Sequence, residues 1–496
     1  MESFIMHELR IKVDEKYVGF KPESGSVKPV HIATGAFRAI LGQSFTAEGI
    51  KKLSYVIGAK GFIPKGNEPE NVKAYLESSN AIDMEISDKN LELFRNMLQK
   101  LVSTDGGVYG DKKRGMLDTM IAYTAGASQF VTAKGIHEDA GEFIGGLIKE
   151  YCPLLSKHIT NILKNNDDTI SLIFEPILDK GKFESVGSAL KHNDIIAFDK
   201  PNKPLKIYLN SFREAGECLK TQLEQHPNKL TQLRLFILFC IYELIRYLSL
   251  LESFYSEGVV RPILLDFTSG KKGSISQTSG LCYSQLHKSI SRFYAWGFAQ
   301  VLNNSLGFSK KDLLKVDIPL YEKNKQPNKK TKDELKSMWD VAKINIKSTA
   351  DDEEARLEAG MAINDMIAIQ ATSHPVNYMR KLGTEIGLLY PPTNFHTDKR
   401  FVLSDDILEA LLRCCVTPNE TITSSEIRER FYNRLGIVIG GTEDDFNRLK
   451  SIGSIVYADS DTLEANFDLF ADTLQRMNFA EQLPDGIMQI RFGGNN

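Results

Sequence analysis

Residues 233–251 are apolar at almost every position, and only Arg234, Glu243 and Arg246 bring charge into the run around Leu235-Phe236-Ile237-Leu238-Phe239-Cys240-Ile241-Tyr242. A stretch this long exceeds an ordinary strand and reads as a helix. A helix that is apolar nearly all round must be covered on most sides, so residues 231–256 are expected at the centre of the largest folded unit. A bilayer is a poor cover, because each charge near its centre costs roughly 2.5 to 3.5 kcal/mol. The expectation is a buried helix and no membrane contact.

The rest of the chain has to supply that cover. Its 496 residues are 42% hydrophobic and 25% charged, a globular composition. At roughly 150 residues per domain, about three domains are expected. The N-terminus lacks the basic region and apolar core of a secretory signal. Cys152, Cys218, Cys240, Cys282, Cys414 and Cys415 form no C-x-x-C pair and fall mostly in apolar helical patterns. Reduced core thiols are therefore expected, rather than disulfides or a zinc site. Together these features point to a cytoplasmic protein.

Along the chain, residues 5–13 alternate apolar and polar in their second half and predict a half-buried strand. Helical patterns cover about 34–41, 46–58, 90–101, 116–165 and 210–257, the first two as a helical hairpin. Residues 170–174, 195–198 and 206–209 predict short strands. So do residues 259–267, where Pro262 implies an edge position or a strand that begins after it. The polar stretch 268–280 predicts a loop leading into a helix at about 281–303. Between 309 and 347 there are eleven lysines and six acids, and 321–332 lacks apolar periodicity, which marks a linker. The expected fold class is α+β, predominantly helical and multi-domain. Its divisions are 1–84, a mainly helical 85–320 with short strands, a lysine-rich linker 321–335, a helical 336–395 and a C-terminal 396–496.

The last hundred residues are the most legible. Ser404 is expected to cap a helix with the stripe Ile407, Leu408, Leu411 and Leu412. Thr423-x-x-Glu426 forms a capping box for a second helix that ends at Gly436. A strand at 437–439 follows, then a third helix opened by Asp461, with Leu463, Phe467, Leu474 and Met477 on its stripe beside Phe470. Residues 487–492 read as a terminal strand. Helix, helix, strand, helix, strand over about 402–492 resembles a winged helix, of the kind found on accessory subunits of multi-subunit prokaryotic assemblies, anti-phage defence systems among them. That resemblance implies a docking or nucleic-acid-binding module. The charge decides between the two. Residues 402–492 hold eight Lys/Arg and sixteen Asp/Glu, and the third helix carries Glu464, Asp468 and Asp472 on its polar face. Duplex DNA bears one negative charge per about 1.7 Å of axis and would be repelled, so these three acids are expected to meet a protein partner.

Catalytic signatures are scarce. His137-Glu138-Asp139 is the densest group of ligand types, but residues two apart do not share a helical face, so no metal site is expected. No nucleotide-loop or dinucleotide motif occurs, and no cofactor is expected. Asp266, ahead of Lys271 and Lys272, is one candidate for metal-dependent phosphodiester chemistry; Asp194 and Asp199 beside Lys206 are another. Neither reproduces a nuclease signature. Cations fit anion contact better: Lys271, Lys272, Lys288 and Arg292 along 268–292, and Lys112, Lys113 and Arg114 in a glycine-rich turn. With a net charge of -3, any such contact is local and reads no base sequence. The expected function is a non-enzymatic subunit or scaffold of an assembly. Its partners would be other proteins, such as a motor ATPase, helicase or nuclease. The alternatives are a diverged nuclease and a self-assembling structural protein.

Overall fold

The computed structural model describes residues 4–22, 27–45, 73–74, 87–103, 139–165, 183–185, 195–255, 260–268, 273–320, 329–370, 375–392, 399–450, 457–484 and 488–492. Over these the chain is predominantly helical, with a few short strands. The N-terminal helices are α1 (Met6–Val13), which runs into a π-type turn at Asp14–Val18, α2 (Pro29–Leu41), α3 (Asp88–Ser103), α4 (Asp139–Tyr151), α5 (Pro153–Lys164) and the one-turn α6 (Ile196–Asp199). Three long helices follow: α7 (Lys203–Gln225), α8 (Lys229–Tyr255) and α9 (Ser274–Asn304). Then come α10 (Lys310–Lys315), α11 (Lys329–Ser348), α12 (Asp352–Gln370) and α13 (Pro375–Glu385), and in the C-terminal segment α14 (Asp405–Arg413), α15 (Ser424–Arg430), α16 (Glu443–Lys450) and α17 (Ser460–Arg476). The strands are β1 (Gln43–Phe45), β2 (Phe183–Ser185), β3 (Ile263–Leu264), β4 (Leu389–Tyr390), β5 (Arg400–Phe401), β6 (Thr421–Thr423), β7 (Ile437–Val438), β8 (Ala480–Gln482) and β9 (Met488–Arg491).

The all-round apolar segment is α8, and every residue from 235 to 251 is buried. Helices α2, α4, α7, α9, α13 and α14 pack on it. Its internal charges are used to join neighbours. Arg246 donates to Glu243 Oε1 at 3.3 Å, to the Arg434 carbonyl at 2.6 Å and to Ser211 Oγ at 2.7 Å. The Tyr242 hydroxyl donates to the Leu435 carbonyl at 2.5 Å. A buried charge left without partners would cost several kcal/mol, so this network removes a penalty and sets how α7, α8 and the π-type turn at Phe431–Leu435 meet. Burial is the main influence on the Glu243 carboxyl and raises its pKa, while Arg246 opposes it. At one crossing a glycine is required: a Cβ on Gly360 of α12 would overlap the Ala295 carbonyl of α9.

Among the described residues the strands form four small sheets. β1–β2 and β4–β5 are antiparallel pairs, and β6-β9-β8 is an antiparallel three-stranded sheet. β3 and β7 pair in parallel, Ile263 with Ile437 and Leu264 with Val438. One apolar interior runs through the N-terminal, central and C-terminal segments.

Several expectations need correcting. Residues 6–13 form a helix and only Ile5 makes a β-bridge, to Leu320, because Met6, Leu9, Arg10 and Val13 are the buried positions and follow the helical period. Arg10 misleads the alternation: it is buried and ion-paired with Asp14 at 3.5 Å. Residues 206–209 lie inside α7, whose start is set by Asn202, its Oδ1 accepting from the Leu205 N–H at 3.1 Å, and by Pro204 in the first turn. Residues 196–199 are the helical turn α6, not a strand. The helix after β3 begins at Ser274, inside the expected loop. Ser404 occupies the cap position of α14, yet its hydroxyl donates to the Ile386 carbonyl at 3.4 Å rather than capping. Asp459, not Asp461, caps α17. Expectations for 46–58, 116–138 and 170–174 lie outside the described residues, as does most of 321–332. β3 does begin directly after Pro262, and the Thr423–Glu426 capping box forms. All six cysteines are buried free thiols, and burial pushes Cys218 and Cys282 up to about 11. Among the described residues no helix is long and apolar enough to cross a membrane.

Candidate functional site

The end of β3, the start of α9 and strand β5 converge on one buried carboxylate. Asp266 Oδ1 accepts from the Thr268 N–H at 2.8 Å, and Oδ2 accepts from Ser276 Oγ at 2.6 Å. Arg400 Nε forms an ion pair with Oδ2 at 2.8 Å. The Asp266 N–H donates to the Phe401 carbonyl at 2.8 Å. Hydroxyls from 274 to 280, which make this stretch look like a loop, are bound to the Asp266 carboxylate or to backbone instead. Ser279 Oγ donates to the Leu264 carbonyl at 2.8 Å and accepts from the Phe401 N–H at 2.9 Å. Thr278 Oγ1 accepts from the Ala458 N–H at 3.0 Å. Once these polar groups are satisfied tertiarily, the segment is free to be helical. Asp266 thus joins β3, α9 and β5, with both oxygens engaged.

Beside it opens a cleft of about 870 Å³, walled by Ser276, Gln277, Tyr283, Ser284 and His287 of α9, by Lys399 and Arg400, and at its edge by Tyr457. Lys399 is buried and donates to Thr384 Oγ1 at 3.3 Å and to the Pro391 carbonyl. Burial, and then the neighbouring Arg380 charge, lower its pKa. The Arg400 guanidinium lies 4.7 Å from the centre of the Tyr390 ring, a cation–π contact. Tyr283 is 5% exposed, and among the described residues its hydroxyl has no hydrogen-bond partner. Burial pushes that phenol up to about 12, with Arg380 pulling the other way. Arg380 Nη1 and Arg400 Nη2 are also buried with no hydrogen-bond partner among the described residues. Cationic and hydroxyl groups that are short of acceptors suit an anion.

The other expected site residues are scattered. Asp199 is exposed at the end of α6, which packs near the π-type turn after α1, apart from Asp266. Lys206 is exposed on α7. Asp194, Lys112, Lys113, Arg114, Lys271, Lys272 and His137 lie outside the described residues. Lys288 is exposed on α9. Arg292 is held by Glu252 of α8, at 2.5 Å through Nε and 2.9 Å through Nη2, and Glu252 also takes Arg261 at 3.0 Å. Among the described residues no group of three His, Cys, Asp or Glu side chains is placed to hold a metal ion.

Glu464, Asp468 and Asp472 are all exposed on one face of α17, while Leu463, Asn466, Phe470 and Leu474 are buried on the other. Lys399 and Arg400 escaped the sequence reading. Their one visible signal was a pair of adjacent cations placed directly before the apolar Phe401-Val402-Leu403. Tyr283 and Tyr457 offered none, since only the fold brings them to the same cleft. Scans of protein-family models and of curated proteins returned no match to this chain.

Proposed function

We propose that the chain is a non-enzymatic subunit of a multi-protein prokaryotic assembly, of the anti-phage defence kind. In this reading the C-terminal segment docks a partner protein and the basic centre touches nucleic-acid backbone. The observation that carries it is the exposed acidic face of α17, where Glu464, Asp468 and Asp472 recur every fourth residue with the 39% exposed Leu469 beside them. Carboxylates flanking an exposed leucine suit a basic, partly apolar protein surface and repel a polyanion. A winged-helix-like reading of 402–492 is supported by the sequence α14, β6, α15, α17, β8, β9 and by the sheet order β6-β9-β8; β7 and α16 are then an insertion. On that reading α17 occupies the groove-reading position with the wrong charge for DNA, so it serves protein contact.

The nucleic-acid contact rests on Lys271 and Lys272 ahead of α9, on the exposed Lys288 and on Lys112, Lys113 and Arg114, whereas Arg292 is already paired with Glu252. Such cations give salt-dependent, sequence-independent binding. A motor ATPase, helicase or nuclease is the partner class this arrangement would serve.

The test is a tagged full-length chain in its native host beside the Glu464→Lys/Asp468→Lys/Asp472→Lys variant. The wild type is expected to retain a defined protein partner at low salt. The variant should lose that partner while keeping the wild-type melting temperature. Retention of the partner by the variant, or protection of α17 by duplex DNA in the wild type, defeats the reading.

A further inference from the structure

We infer that the cleft between the start of α9 and the β4–β5 pair binds a nucleoside phosphate. Three observations converge on it. The first is charge: Lys399 and Arg400 line the cleft, Arg380 is near enough to act on Lys399 and Tyr283, and Arg400 is paired with Asp266. Burial lowers the Lys399 pKa first, and the nearby Arg380 charge adds to it.

The second is the set of polar groups short of partners. Among the described residues the Tyr283 hydroxyl and Arg400 Nη2, both on residues that line the cleft, have no hydrogen-bond partner. A buried donor without an acceptor is destabilising, and more so when it is charged. A phosphate accepts several such bonds at once, whereas a carboxylate would supply fewer oxygens for the same cations. Ser284 and Gln277 add further polar groups along one wall, where Ser276 is held by Asp266.

The third is size and aromatic lining. About 870 Å³ exceeds what a lone phosphate fills and falls within the range of pockets that hold drug-sized ligands. Tyr457 stands at the edge, 51% exposed, so much of its ring is left uncovered by protein. A planar base stacked on that ring would cover it. The sugar would then face the hydroxyl wall of α9. Gly280 belongs to this wall, and a Cβ there would come 3.5 Å from the Lys399 carbonyl, so helix and strand approach closely behind the ligand.

Calorimetric titration of the full-length chain with the four nucleoside monophosphates, inorganic phosphate and adenosine tests this. At least one monophosphate is expected to saturate the protein with a Kd below about 1 mM, some tenfold tighter than phosphate or adenosine alone. Tyr457→Ala, at an exposed ring, should remove that advantage over phosphate without lowering the melting temperature. Tyr283→Phe should weaken both the monophosphate and phosphate by about fivefold to tenfold, the loss of one hydrogen bond. Three results would overturn the inference: no saturable binding of any monophosphate at about 5 mM, phosphate binding as tightly as the best monophosphate, or affinities indifferent to both substitutions in variants that remain folded.

Discussion

Asn466 stands on the buried side of α17, between Leu463 and Phe470, and is itself wholly buried. Its amide nitrogen donates to the Leu265 carbonyl at 2.9 Å and the Ile439 carbonyl at 2.7 Å, and its Oδ1 accepts from the Phe267 N–H at 2.9 Å. One side chain therefore satisfies backbone groups where β3 and β7 end. Asn466→Ala would leave two carbonyls and an N–H buried without partners, so a loss of about 2 to 4 kcal/mol in urea unfolding is expected. A change below about 0.5 kcal/mol would show that water or a shifted backbone replaces those bonds. In the sequence Asn466 reads as one polar residue beside an apolar stripe, because which backbone ends need a partner depends on segments two hundred residues apart. Arg10 deceives in the same way, its burial made tolerable by Asp14, which in turn accepts from the Tyr294 hydroxyl at 2.7 Å.

Helices and turns were legible where their termination signals are local. The capping box of Thr423 and Glu426 closes within the same few residues that encode it. The turn between α14 and β6 is another local device. Glu420 Oε2 accepts from the Thr417 N–H at 3.0 Å, and its two oxygens take both Arg430 nitrogens at 2.6 and 2.9 Å. Arg430 also donates to the Cys415 carbonyl at 2.9 Å, so α15 is tied back to the end of α14. The Arg430 hydrogen bonds, with those of Thr417, hold the Glu420 carboxyl down to about 2 from its usual 4.5. Below 4.5 the unfolded chain therefore binds more protons than the folded one. The clamp contributes fully above that pH and is lost as the pH falls towards 2. The wild-type melting temperature should accordingly fall more steeply over this interval than that of Glu420→Gln, and the two should converge at its acid end. Parallel curves would remove the clamp from the account. Elements without local terminators were misread: α9 begins at Ser274, and the hydroxyls of Ser276, Thr278 and Ser279 take their partners from β3, the loop before α17 and β5.

At the scale of the molecule, the parallel pairing of β3 with β7 joins the centre to the C-terminal segment. Ile263 and Leu265 donate their N–H groups to the Gly436 and Val438 carbonyls at 3.0 and 3.1 Å. Slow hydrogen exchange is expected at these two amides in the full chain, and fast exchange after removal of 396–496, since both would lose their acceptors. Continued protection in the truncated protein would mean that β3 finds another partner. The sequence by itself determined the buried α8, the helical content, the capping of α15 and the exposed acidic line on α17. Each of those depends on period, composition or a few adjacent residues, which the linear order carries whole. Tertiary structure alone decided that Arg246 and Arg10 lie inside, that a polar run becomes the first turns of α9, and that Tyr283, Lys399, Arg400 and Tyr457 share one cleft. Those outcomes depend on which distant group satisfies a buried charge or hydroxyl, and chain neighbours carry no record of that.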